Sequence, residues 1–388
     1  MQRIKRIEVY IIIALIIISI LQAVWLFKGQ VFDNVDSGLQ GYINFSQFFN
    51  NNFFIWNSLD YTGLIGTFSS SINFLLSLFN ILFNSILGLI VGAEVLFGLL
   101  IAIGNLSIFF LLYKLLDNKS LTAKVLAGSF AVVLFGIFSA VANGPDYTII
   151  GWFPASLFFA YVFAEKISLK GNGAWKKYIY LSIFILFLAI LFSGGGAWII
   201  QNVIAIIFPL LFLSLFNKSH KKALFGYYVL AVILALIIAL PVFGSTEMFT
   251  KVVGNDFFNS GSLWILKNLN GQNIFTSLQL SDFNNAYLTI YWIAVVIFSF
   301  ISLLYLKEIK GEKRAFIIGS FISFFVIIFL WDNFGLPFGA IFNILLNHFN
   351  ELLVFRYSGS SLYYIINFFY AIFIYGRIGI PFDKKYVI

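Results

Sequence analysis

The chain has 388 residues, of which 61% are hydrophobic, 20% aromatic and only 10% charged. Soluble proteins carry roughly a quarter charged residues, so a soluble fold is excluded and an integral membrane protein is predicted. The chain has no cysteine, which excludes disulfides, thiolate nucleophiles, iron–sulfur clusters and Cys-ligated zinc. We interpret its net charge of +8 as a topology signal, and no nucleic-acid partner is expected.

Apolar stretches that could cross a hydrocarbon core of about 30 Å recur along the chain. The first follows Arg3, Lys5 and Arg6 and has no small-residue cleavage site after it, so it is predicted to be retained rather than removed as a signal peptide. Hydropathy predicts about ten membrane-spanning helices in an all-α polytopic bundle. The predicted spans are 9–27, 92–113, 124–141, 149–164, 178–193, 197–216, 223–242, 287–306, 315–331 and 361–376.

The basic residues predict the orientation of these spans, because cytoplasmic loops hold an excess of Lys and Arg. With both termini in the cytoplasm, all but four of the 24 basic residues fall on the cytoplasmic side. The four that lie outside are Lys28, Lys251, Lys267 and Arg356. The sequence therefore predicts a multi-pass protein of the cell membrane with both termini cytoplasmic.

One further apolar stretch, 72–92, is long enough to cross but contains several Asn and Ser residues. If it crossed, the later basic clusters would become external, so it is predicted to be an interfacial or re-entrant helix on the outer side. The chain, 1–388, is predicted to form a single membrane domain without a separate soluble domain. Three external segments stand out by length and are expected to carry the function: 28–91, 243–286 and 332–360.

Several classes of chemistry are missing from the sequence. The two histidines, His220 and His348, lie outside the predicted spans, so haem is not expected on this chain. No GxxxxGK[ST], HExxH or GxSxG pattern occurs, which argues against the usual NTPases, zinc peptidases and serine hydrolases. Glu94 is the sole acid inside an apolar run, and its place in the first turn of the predicted helix favours a boundary carboxylate over a proton route.

The first external segment is the most informative part of the chain. Asp33 and Asp36 follow the first span, and Trp56, Asn57 and Gly63 lie further on. Between them runs an aromatic stripe whose spacing suits an amphipathic helix in the membrane interface. The stripe consists of Tyr42, Phe45, Phe48, Phe49 and Phe53. From the residues alone, Asp36 is either the N-cap of this helix or a carboxylate with a chemical role.

This arrangement resembles the first external loop of GT-C-type membrane glycosyltransferases, particularly the arabinofuranosyltransferase-like branch. The shared features are an aspartate soon after the first span, an interfacial amphipathic helix, a Trp-Asn…Gly-Leu…Gly element at 56–66 and a second apolar interfacial helix. The element at 355–361, before the last predicted span, resembles the Phe-Arg turn of those proteins. Because the chain has fewer spans and no soluble C-terminal domain, a minimal or noncatalytic relative stays open.

The resemblance implies a transferase that uses a polyprenyl-phosphate-linked sugar at the outer face. Asp36, with Asp33 as the near alternative, would deprotonate an acceptor hydroxyl or hold a divalent cation near the donor phosphate. Arg356 would bind the lipid-linked phosphate, with a salt bridge to Glu351 or an interface anchor as the alternative. The other substrate-binding residues that the resemblance implies are Trp56, Asn57 and Gly63.

A second hypothesis is a noncatalytic membrane subunit that anchors or assembles an external partner within a respiratory or envelope complex. The aromatic outer helices and the scarcity of titratable residues in the spans fit it almost as well. A lipid or solute carrier is a weaker hypothesis, because the spans offer few polar contacts. The expected partners are membrane lipid and a lipid-linked sugar under the first hypothesis, and a membrane or extracellular subunit under the second.

Overall fold

The computed structural model describes residues 2–27, 79, 82–115, 121–133, 147–192, 196–217, 219–253, 297, 309–331, 365 and 368–373. These residues are almost entirely helical and contain no strand. The helices are α1 (Gln2–Phe27), α2 (Leu89–Leu115), α3 (Leu121–Phe130), α4 (Tyr147–Lys166), α5 (Trp175–Phe192), α6 (Gly196–Phe216), α7 (Lys221–Val253) and α8 (Gly311–Trp331). A 3-10 turn at Gly171–Gly173 precedes α5.

The all-α prediction is confirmed for the described residues. Among the residues that the structure describes, four helices are long and apolar enough to cross a membrane: Ile7–Trp25, Ile90–Leu115, Trp175–Phe192 and Lys221–Ala239. The total of about ten spans and the amphipathic helices on the outer side stay predictions. The apolar stretch of α7 ends at Ala239, near the predicted end of that span at 242, and the helix itself continues to Val253. Backbone hydrogen bonding carries a helix past the point where its side chains stop being apolar.

A sharp break precedes α2. Gly88 has φ +84°, a left-handed conformation that glycine adopts without strain, and it separates a short helix at 82–87 from α2. Since α2 begins at Leu89, Glu94 lies in the second turn of the helix and is buried. The prediction that Glu94 lies in the first turn is therefore wrong.

Helices α1, α2 and α3 form one group. Lys124 of α3 forms an ion pair with Glu8 and lies over the ring of Tyr113, with Nζ 4.9 Å from the ring centroid. Further along α1, Ser19 accepts a hydrogen bond from Asn105 at 2.8 Å. These contacts make α1 antiparallel to α2, so the chain between Phe27 and Leu89 leaves and returns at the same end of the pair.

The remaining helices continue this alternation. Phe110 of α2 lies 6.0 Å from Phe158 of α4 between ring centroids, and Lys114 pairs with Glu165 at 2.5 Å, so α2 and α4 are parallel. Aromatic contacts make α4 antiparallel to α5, and α5 parallel to α7. Ring contacts also join α4 and α8 to the helical residues 368–373.

The backbones of helices α6 and α8 approach each other closely at Gly319. A Cβ on Gly319 would lie 2.6 Å from the carbonyl oxygen of Phe208, so only glycine allows this approach. The neighbouring Pro209 has no N–H and leaves the carbonyl of Ala205 without its helical donor. Ser323 of α8 donates its hydroxyl to that carbonyl at 2.8 Å. A side chain of one helix thus completes the backbone hydrogen bonding of another.

Because of the helix directions, most of the described basic residues lie at one end of the bundle, which we call the basic end. The opposite end, where α1, α7 and α8 finish, we call the far end. Lys251 is the exception, because it lies near the far end of α7. The basic residues at the basic end include Lys114, Lys124, Lys166, Lys170, Lys176, Lys177, Lys221, Lys222, Lys310, Lys313 and Arg314.

The pairing of Pro209 with Ser323 predicts a coupled effect of two substitutions. Ser323→Ala should lower the free energy of unfolding by about 1 kcal/mol, because it leaves a buried carbonyl without a donor. In a Pro209→Ala background the carbonyl regains a helical N–H, so the same substitution should cost close to nothing. Reversible unfolding of the four proteins in mixed detergent micelles gives the coupling energy.

Ser214→Ala is the matched control, because Ser214 donates to Leu210 within its own helix at 2.9 Å. The carbonyl of Leu210 keeps a backbone donor after this substitution, so the cost should be clearly smaller than that of Ser323→Ala. Equal costs of Ser323→Ala with and without Pro209 would contradict the assignment.

Candidate functional site

The residues that the sequence predicts for the active site lie outside the described part of the chain. They are Asp33, Asp36, Trp56, Asn57, Gly63 and Arg356. Their roles stay predictions, and so does the divalent cation near the donor phosphate. The structure describes the helices that precede the segments containing these residues.

The helices that precede the three long predicted external segments all end at the far end of the bundle. Phe27 at the end of α1 and Leu89 at the start of α2 both lie at the far end, as do Val253 at the end of α7 and Trp331 at the end of α8. The segments that follow α1, α7 and α8 carry most of the residues of 28–91, 243–286 and 332–360. The first and the third of these contain all six predicted site residues.

A cluster of uncharged polar side chains lies inside the group of α1, α2 and α3. Asn105 Nδ2 donates to Ser19 Oγ at 2.8 Å and to Gln22 Oε1 at 3.4 Å. Ser19 donates to the carbonyl of Leu15 at 2.7 Å, and Gln22 Nε2 donates to the carbonyl of Val132 at 3.5 Å. The three side chains are at least nine-tenths buried. Because none of them titrates near neutral pH, this cluster can orient helices but cannot act as an acid or a base.

The polar cluster has two unusual features. Asn105 Oδ1 is buried and has no hydrogen-bond partner among the described residues. Val132 lies in a short π-helical turn at 131–133, where α3 departs from regular α geometry. The carbonyl of Val132 accepts the hydrogen bond from Gln22 Nε2, so this turn contacts α1.

A second polar group lies at the basic end, where α6, α7 and α8 meet. Asn217 Nδ2 donates to Glu312 Oε1 at 2.7 Å, and the backbone N–H of His220 donates to Asn217 Oδ1 at 3.0 Å. One amide side chain therefore joins the end of α6, the start of α7 and the start of α8. Glu165, ion-paired with Lys114, lies close enough to Glu312 to repel it.

The carboxyl group of Glu312 has an altered proton affinity. Burial raises the pKa of Glu312 above its ordinary value of 4.5, the negative charge of Glu165 raises that pKa further, and the hydrogen bond from Asn217 opposes both effects. The charged form is thus destabilised by loss of water and by a like charge. Its hydrogen bond with Asn217 helps to join three helix ends, which indicates a structural role.

Lys124 is the most deeply buried cation of the described residues, with 2% of its side chain exposed. Sequence analysis placed it at a loop boundary and did not anticipate its burial. Its ammonium group is compensated by the carboxylate of Glu8 and by the face of Tyr113. A buried charge needs such compensation. The signal in the sequence was the single acid in the basic N-terminal segment.

Potential metal ligands are sparse in the described residues. No group of three or more His, Cys, Asp or Glu side chains among them could hold a metal ion. The acids that the structure describes at the basic end are already paired with Lys124, Lys114 and Asn217. Divalent-cation chemistry, if it occurs at the predicted site, depends on Asp36 and Asp33.

Comparison with protein-family models gives no match, and comparison with curated proteins gives no significant match. The resemblance to GT-C-type transferases therefore rests on the short motifs in the first and last external segments. It enters below as a proposal.

The raised pKa of Glu312 predicts a pH-dependent stability. The folded protein binds the proton of Glu312 more tightly than the unfolded chain, so ionisation costs stability above the raised pKa and costs nothing below the ordinary value of 4.5. Glu312→Gln keeps an acceptor for Asn217 and removes the charge. It should raise the unfolding temperature in detergent at neutral pH, and this difference should vanish once the pH is well below 4.5.

Glu8→Gln is the control, because the same chemical change there leaves the buried ammonium of Lys124 without its counter-charge. We expect this variant to unfold at a lower temperature at neutral pH. A stabilising effect of Glu8→Gln would contradict its role as the counter-charge of Lys124. A pH-independent effect of Glu312→Gln would contradict a destabilising charge on Glu312.

Proposed function

We propose that this protein is a GT-C-like membrane glycosyltransferase that takes its sugar from a polyprenyl-phosphate donor at the outer face. The observation that supports it is the placement of the helix ends. The segments that carry Asp33, Asp36, Trp56 and Gly63 and the segment that carries Arg356 start from the far end of the bundle. A transferase that works on lipid-linked donors needs such loops beside the bilayer, over a rigid helical base.

The proposed roles of the acidic and basic site residues follow from their charges. Asp36, with Asp33 as the near alternative, accepts the proton of the acceptor hydroxyl or holds a divalent cation. Arg356 pairs with two oxygens of the donor phosphate. As the hydroxyl oxygen bonds to the anomeric carbon, the bond from that carbon to the phosphate oxygen breaks, and the lipid phosphate leaves with the electron pair.

We also propose the orientation. The basic end faces the cytoplasm, since cytoplasmic loops are rich in Lys and Arg, and the far end faces outwards. Ten spans and cytoplasmic termini complete this topology. The described helices support the alternation of directions, and the absence of cysteine from the chain makes the orientation easy to test.

Single cysteines should label from opposite sides. Ser219 is exposed at the basic end, so Ser219→Cys should react with an impermeant maleimide only after the cells are opened. Ser260→Cys, in the segment after α7, should react in intact cells. Labelling in the reverse pattern would overturn the orientation, and the unmodified chain provides a blank without any reactive thiol.

Asp36→Asn should abolish sugar transfer without loss of folding. The amide has nearly the volume of the carboxylate but cannot accept the proton or bind a cation as an anion. A general base contributes about 10²- to 10⁴-fold in rate, whereas loss of a helix cap costs about 1 kcal/mol of stability. Transfer from polyprenyl-phosphate sugars by the purified protein, measured beside its thermal unfolding, separates the two effects.

Asp282→Asn is the matched control in another external segment and should leave transfer unchanged. Arg356→Ala should raise the KM for the donor before it lowers kcat. If the wild type neither binds nor transfers such sugars, and purifies stoichiometrically with another membrane or extracellular chain, the noncatalytic subunit replaces the transferase as the proposal.

A further inference from the structure

A group of exposed lysines lies at the basic end, where α5 and α7 begin side by side. The rings of Tyr178 and Tyr227 are 6.4 Å apart between centroids, which fixes the starts of the two helices next to each other. Each helix opens with lysines, and a further lysine precedes the 3-10 turn. We define the lysine patch as Lys170, Lys176, Lys221 and Lys222, all of which are exposed.

The charge of the lysine patch is not compensated within the described protein. None of its four side chains makes an ion pair or hydrogen bond with another described residue. The described carboxylates at this end are engaged elsewhere, with Lys124, Lys114 and Asn217 as their partners. None of the four ammonium groups therefore has a counter-charge among the described residues.

The neighbouring Lys177 differs from the patch and shows that the lysines here have two roles. Its Nζ donates to the carbonyls of Ile167 and Leu169 at 3.4 and 3.3 Å and lies 5.2 Å from the ring centroid of Tyr178. It therefore ties the connection between α4 and α5 to the first turn of α5. The structure thus gives Lys177 a role within the protein, whereas the four lysines of the patch have no such contact among the described residues.

Exposed aromatic side chains surround the patch. Trp175 is 58% exposed, Tyr178 45% and Phe225 50%. Further along the same two helices, Ile179 and Val229 are exposed apolar residues. Trp and Tyr favour the boundary between hydrocarbon and water, so this sequence of charged, aromatic and apolar side chains matches the headgroup, interface and acyl regions of one leaflet.

We propose that the lysine patch binds the phosphate of an anionic phospholipid in the adjoining leaflet. The ammonium groups attract the headgroup, and the exposed aromatic and apolar side chains beside them contact the glycerol and acyl chains. A soluble anion would use the lysines but not the apolar surface. Basic pockets between helices at the cytoplasmic side favour anionic lipids for these reasons. The proposal is independent of the sugar-transfer activity at the far end.

Trp175 provides a local reporter for the test. The full chain is reconstituted in phosphatidylcholine vesicles that contain the same mole fraction of bromine-labelled phosphatidylglycerol or bromine-labelled phosphatidylcholine. The fluorescence of Trp175 is the difference between the wild type and Trp175→Phe. We expect the labelled phosphatidylglycerol to quench it as if its local concentration were about threefold or more above that of phosphatidylcholine.

Four further measurements separate the patch from general charge attraction. Replacing all four lysines by glutamine should make the two labelled lipids quench Trp175 about equally. Replacing them by arginine should keep the stronger quenching by phosphatidylglycerol. Lys251→Gln, at the other end of α7, should leave it unchanged. Raising the salt from 0.1 to 1 M should also remove the preference, because the screening length falls from about 10 to about 3 Å.

Equal quenching of the wild type by the two labelled lipids would overturn the proposal, and so would a preference that survives the loss of all four lysines. Thermal unfolding in phosphatidylcholine checks that the glutamine variant is folded. If that variant does not fold, the salt titration of the wild type decides, because a lipid held by apolar contacts alone would be insensitive to salt.

Discussion

A buried carbonyl without a donor is costly wherever water cannot reach it, and this constraint shapes the described bundle. Pro209 creates such a carbonyl at Ala205, and Ser323 on the neighbouring helix satisfies it. The hydroxyl reaches it because Gly319 lets the two backbones approach closely. Proline, serine and glycine thus act together, and a substitution at one position changes how much the other two residues contribute to stability.

The need for hydrogen-bond partners also applies to the polar side chains of the described interior. Neutral groups lie among the helices, where Asn105, Ser19 and Gln22 bond to each other and to backbone carbonyls. Charged groups are kept to the helix ends, and the one described lysine that is almost fully buried, Lys124, has both a carboxylate and an aromatic ring as partners. These neutral side chains are therefore suited to holding the described helices in register.

Hydropathy was sufficient to predict most of the described helices, because a long apolar run has few alternatives to a helix in a chain of this composition. It could not predict where a helix stops once its side chains turn polar, as the extension of α7 to Val253 shows. Nor could it predict which polar side chains meet, since the pairing of Asn105 with Ser19 depends on how helices far apart in sequence pack. The candidate site is predicted only from motifs, since Asp36 and Arg356 lie outside the described residues.

The bond between Ser19 and Asn105 joins residues 86 positions apart, and this separation has a consequence for biosynthesis. When α1 leaves the ribosome, the partner of Ser19 has not yet been made. At about 5 to 20 residues per second, α1 waits about 4 to 17 s before Asn105 is synthesised. Through that interval Gln22 also lacks its acceptor on α3. Within α1 the hydroxyl of Ser19 can still donate to the carbonyl of Leu15, so the contacts between helices form only after the second and third helices have been made.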